Sequence, residues 1–194
     1  MSKLQRNDLM SLEEYATQRV AFRDKVMAHK KTRHIQLGEH ATLYFEDRLT
    51  MQYQVQEMLR VERIFEEDGI LEELNAYNPL IPDGKNLKAT FMIEYVDEDE
   101  RRVALSKMIG IEDKVWVQMD GFDKVFAIAD EDMERDTEEK TSAVHFLRFE
   151  FDAEMVAAAK QSASIAMGID HPAYTQSLSP ISNESRSSLV ADFA

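Results

Sequence analysis

Residues 11–31 and 49–68 both repeat apolar side chains with the period of an α-helix, yet both carry charge on the face that has to be buried. Successive side chains of a helix turn by about 100°. On that wheel Met51, Val55, Met58, Leu59, Val61 and Phe65 form an arc about 160° wide, enough for a core face. Glu62 falls near the middle of the arc and Gln54 lies inside it. In the earlier stretch Leu12, Tyr15, Ala16, Val20, Phe22, Val26 and Met27 form the arc, with Arg19 and Arg23 at its centre, one turn apart. Thr50 is placed to cap the later helix and Gly69 to end it; Ser11 and Glu14 have capping-box spacing, with Met10 and Tyr15 as the staple.

An unpaired buried charge costs several kcal/mol or more. The sequence therefore predicts that the two faces meet, with Arg19 and Arg23 against Glu62 and Gln54 in a neighbouring hydrogen-bond position. Such a cluster has a structural reading, in which it fixes the register of the helices. It also has a functional one: two arginines against one glutamate leave a surplus positive charge that suits a small anion. A third reading leaves one helix on the surface.

A chain of 194 residues fits one domain with a tail. At this size roughly 70% of the unfolded surface is buried, so staples are not required. With no cysteine there are no disulfides, thiolate nucleophiles or cysteine-ligated metal clusters. A net charge of −14 argues against nucleic acid and anionic lipid as partners and favours a basic one. No apolar run reaches the length of a membrane span, and residues 1–8 lack the apolar centre of a secretory signal, so a cytoplasmic location is expected.

Residues 29–34 are basic, which complements the dipole at a helix C-terminus or offers a patch to an acidic partner. Residues 33–37 and 41–47 read as a hairpin around Gly38, and residues 70–77 as a short helix. Residues 87–96 read as a strand with Phe91, Ile93 and Tyr95 on one face, followed by a helix that stops at Gly110. Asp120-Gly121 signals a hairpin between residues 114–119 and 122–129. Residues 130–140 form an acid-rich loop, solvated or a docking element. A strand at 142–151 precedes a last helix, capped by Asp152 and ended by Gly168 and Pro172. The expected fold is α+β, a mainly antiparallel sheet of about six strands with helices packed on it. Residues 1–170 would form the single domain and 171–194 a Ser-rich tail, mobile from Ser177 although Leu189 to Phe193 could dock.

The chain has no dinucleotide fingerprint, phosphate loop, nucleophile elbow, His-Glu-x-x-His pair or Glu-x-x-His spacing. A metal would have to be gathered from His40, Glu39, Glu46 and His145, but His145 shares a strand face with Leu147, Phe149 and Phe151 and reads as a hydrogen-bonded core histidine. No metal or cofactor is expected. Tyr95, Trp116, Phe122 and Phe126 read as core rather than as a base-stacking platform.

Several segments together resemble an uncharacterised bacterial family, the domain of unknown function 3501 family (DUF3501). They are residues 8–15, 19–23, 37–46, 54–62, 75–79 and 144–149, in that order and spacing. The resemblance spans residues 4–151 and leaves the tail outside. Members are often encoded beside a rubrerythrin and a cysteine-rich iron–sulfur protein of the heterodisulfide-reductase type. That implies a role near peroxide defence or electron transfer and supplies no catalytic residues. Two functions follow. The first is a non-enzymatic accessory or regulatory protein that binds a redox partner. The second is a small-molecule module or enzyme for an anionic substrate, with Arg19, Arg23 and Arg60 as clamps and Glu57 or Glu62 as general base. Self-association is left open.

Overall fold

The computed structural model describes residues 2–129 and 140–194. Helix α1 (Leu12–Lys31) starts where the Ser11 hydroxyl accepts the Glu14 N–H, and ends in the basic turn His29, Lys30 and Lys31. Strands β1 (His34–Leu37) and β2 (Ala41–Glu46) form the expected hairpin. Helix α2 (Arg48–Glu62) is capped by Asp47, not Thr50: the Asp47 carboxylate accepts the Thr50 N–H, and the Thr50 hydroxyl accepts the Asp47 N–H, each at 2.9 Å. It ends at Arg63, in the left-handed region with φ 56°, well before Gly69. Helix α3 (Glu67–Tyr77) follows, and Pro79 opens the chain towards β3 (Asn86–Ile93).

Helix α4 (Glu98–Lys107), capped by Asp97, leads to β4 (Val115–Met119) and the short β5 (Val125–Phe126) and β6 (Ile128–Ala129). The acid-rich residues 130–139 lie outside the described residues. Strand β7 (Val144–Glu150) precedes α5 (Ala153–Lys160), capped by Asp152 as expected. That helix is far shorter than the sequence suggested. Gly168 belongs instead to β8 (Ile165–His171), where a Cβ would meet the Trp116 ring and the Gln176 carbonyl within 2.4–2.5 Å. The segment expected to be a mobile tail forms β9 (Tyr174–Leu178) and α6 (Asn183–Val190), and its Ile181, Leu189 and Phe193 are buried.

The fold is α+β, with two antiparallel sheets in the orders β1-β2-β3-β7-β6 and β5-β4-β8-β9. Alternation sends Leu43, Phe45, Leu87, Phe91 and Phe149 of the first sheet into one core with Val117, Ile165 and Met167 of the second. Tyr174 ties β9 to the β1–β2 turn: its hydroxyl donates to the Leu37 carbonyl at 2.8 Å and accepts the His40 N–H at 3.0 Å. A side chain at Gly38, whose φ is +75°, would collide with that hydroxyl. A second core joins Leu4, Leu9, Met51, Val55, Leu59, Ile70 and Leu74 in a helical lobe built on α2 and α3, against which α1 packs. Among the described residues no helix is long and apolar enough to cross a membrane.

Candidate functional site

Helices α1 and α2 do meet through charge, but the carboxylate is Glu57 and not Glu62. Arg19 grips Glu57 in a fork, Nε to Oε1 at 2.7 Å and Nη2 to Oε2 at 2.9 Å. The Tyr15 hydroxyl donates to Oε1 at 2.6 Å, and Arg60 Nη2 donates to Oε2 at 3.2 Å. Glu62 and Arg23 are both exposed and take no part; Gln54 is half-buried outside the cluster. The buried amide is that of Gln56, whose Oε1 accepts the Met10 N–H at 2.6 Å and anchors the N-terminal segment.

Glu57 accepts all four of these donors. Chiefly through the Arg19 hydrogen bonds, helped by Tyr15 and Arg60, its pKa is held down at about 2. A carboxylate so saturated stays ionised and has no free lone pair for a substrate proton. The same carboxylate, after burial, pushes the Tyr15 hydroxyl up out of its ordinary range. Arg19 and Arg60 keep 34% and 42% side-chain exposure, so water can reach them if Glu57 is removed. Glu57→Ala is therefore expected to destabilise by about 1–2 kcal/mol, less than the ~3–5 kcal/mol of a fully buried cluster. Urea melts read this, and a loss above about 3 kcal/mol would show that the arginines are not rescued by solvent.

A second polar cluster, at the junction of the helices with the first sheet, was not anticipated. Arg33 is only 1% exposed. Its Nε donates to the Phe45 carbonyl at 3.0 Å, Nη1 to the Ser188 carbonyl at 3.0 Å, and Nη2 to the Glu46 carbonyl at 3.1 Å. The fork is completed by Asp192, with Nη1 to Oδ1 at 3.2 Å and Nη2 to Oδ2 at 2.5 Å. Asp47 stands 3.6 Å from Arg33 Nε and is hydrogen-bonded to His29 Nε2 at 2.5 Å. Burial works to raise the pKa of Asp47, but Arg33, the Thr50 N–H and His29 together lower it. Asp192 goes the other way: burial outweighs the Arg33 charge and lifts it to about 6. The residues of this node come from α1, the turn into β1, the β2–α2 corner, α6 and the segment just after α6. The sequence did carry a signal, because Arg33 shares the strand period of Ile35 and Leu37, both buried.

His145 is 4% exposed and contacts the Thr141 hydroxyl and the Ser142 carbonyl, each at 3.0 Å. His40 stacks on Tyr95 with centroids 3.9 Å apart, and its Nδ1 bonds the Glu94 carbonyl. Glu46 accepts the Thr90 hydroxyl. Among the described residues no three His, Asp or Glu side chains converge as a metal would need. At the end of α2 remote from the sheet, Val61 and Phe65 are 62% and 66% exposed. A cavity of about 580 Å³ lies at Phe65, lined also by Arg6, Leu9, Glu67 and Ile70.

A family model described as a protein of unknown function (DUF3501) matches residues 3–193 and so takes in the C-terminal segment as well. The chain is similar to a crystal structure of a novel protein of unknown function from Burkholderia pseudomallei K96243, with 50% identity, a TM-score of 0.93 and 100% of both chains covered. No curated protein matches.

Proposed function

Since the chain belongs to the DUF3501 family of proteins of unknown function, we propose that it is a non-catalytic accessory protein that binds a protein partner in the cytoplasm. The setting is the one its family resemblance implies, a bacterial redox or peroxide-defence system. The observation that carries the binding reading is the exposure of Phe65, which lines the cavity at the far end of α2, with Val61 also exposed on the last turn of that helix. A large aromatic side chain exposed at the mouth of a cavity suits a contact surface. The non-catalytic reading is supported by Glu57, whose four donors leave it no proton to take. The same fork counts against an anion clamp at Arg19, because the guanidinium face that would grip a carboxylate or phosphate already holds Glu57.

The test is sedimentation of the purified chain with a rubrerythrin and with a cysteine-rich iron–sulfur protein from the same cell. A co-sedimenting complex with either is the expected result. The chain sedimenting unchanged beside both would overturn the redox-accessory reading, and so would a stable dimer of the chain alone that protects Phe65 from solvent.

A further inference from the structure

We infer that the exposed end of the helical lobe is a docking surface for a basic, partly apolar segment of a partner protein; this rests on the accessory reading above and names its contact. Residues 62–73 hold six carboxylates, Glu62, Glu66, Glu67, Asp68, Glu72 and Glu73, against the single cation Arg63. Among the described residues none of these six enters an ion pair within 4 Å. The crowding spans two helices: after burial itself, Glu62 on α2 and Glu72 on α3 raise the Glu73 carboxyl above its ordinary range. Like charges held together in this way repel, and a bound cation relieves the repulsion.

The apolar part of the surface comes from the same stretch of chain. Val61 is exposed on the last turn of α2, and Phe65 lies between α2 and α3, lining the cavity that it shares with Glu67, Arg6, Leu9 and Ile70. The chain reaches Phe65 through Arg63 in the left-handed region, a conformation that costs a non-glycine residue about 1 kcal/mol. An exposed aromatic ring that shares its cavity with Glu67, in a stretch of six carboxylates, suits a lysine or arginine side chain, whose stem packs on the ring while its charge meets the acids. Nucleic acid and anionic membrane are both polyanions and would be repelled.

The probe is a fluorescently labelled amphipathic peptide of Lys and Leu, with anisotropy as readout at low and at moderate salt. The chain is expected to bind it, and Phe65→Ser to weaken binding about tenfold or more. Glu66→Gln with Glu67→Gln should weaken it and flatten the salt dependence. Val96→Ser with Glu98→Gln, at an exposed acidic site on the other side of the fold's sequence order, should leave it unchanged. Absence of peptide binding, or equal losses in the Phe65 and Val96 variants, would overturn the inference. The sedimentation experiment repeated with Phe65→Ser separates the two proposals. A complex that survives Phe65→Ser sinks this surface while the accessory reading stands. Site-specific peptide binding without a redox complex supports this surface and sinks the redox assignment.

Discussion

Replacing Arg33 by methionine is expected to remove about 3–5 kcal/mol from the free energy of unfolding, read by urea denaturation. The guanidinium is buried and its loss strands three carbonyls and two carboxylates at once. Solvent cannot replace it, in contrast to the half-exposed arginines around Glu57. Arg33→Lys should fall between, since lysine keeps the charge but not the fork that spans Asp192. Adding Asp192→Leu to Arg33→Met should recover part of the loss, because the stranded carboxylate is then gone. A single Arg33→Met variant within about 1 kcal/mol of the parent would mean that the node is not an energetic unit.

Stability is expected to fall as pH rises from about 5 to about 7.5, by about 1–1.5 kcal/mol, and Asp192→Asn should remove most of that fall. The folded pKa of Asp192, about 6, lies above the ordinary 3.8. The folded state thus holds the proton more tightly than the unfolded one. The stability this gives is complete below 3.8 and is lost as pH climbs through about 6. Asp47 has the opposite sign: its pKa is lowered, so its contribution is present above 3.8 and is lost only as pH falls through that lowered value. The charged and titratable groups that face Asp192 are Arg33, Asp47 and His29. Urea melts at a series of pH values, parent against Asp192→Asn, isolate its share from that of the histidines. A parent profile flat across this range, or one that Asp192→Asn leaves unaltered, would show that Asp192 is ionised throughout.

The long-period elements were legible because burial writes a regular pattern. α1, the β1–β2 hairpin, β3, α4 and β7 all fall where alternation or helical spacing placed them. The charged contact between α1 and α2 was legible too, but its carboxylate was misplaced by five positions. Val61 and Phe65 belong to the apolar arc of the sequence, although the helix ends at Glu62 and both residues are exposed. On the wheel Glu62 still falls between Met51 and Val55, but it is the last residue of the helix and stays exposed, and α1 packs on the opposite side of α2, where Glu57 lies. The C-terminal segment was hidden by composition. Its serines read as disorder, but Ser182 caps α6, and the few apolar residues between them are enough to close the core. Asp192 could not be found from sequence, because nothing local says that a lone acid near the end meets an arginine near the beginning.

Arg33 and Asp192 are 159 positions apart. Closing so long a loop costs chain entropy before any contact can offset it. Their pairing therefore belongs on the native side of the folding barrier, and its energy appears in the rate at which the molecule comes apart more than in the rate at which it assembles. Seen in time, the buried guanidinium sets a residence time: it governs how long the C-terminal helix stays on the sheet between openings, and so how rarely a protease meets that end of the chain unfolded.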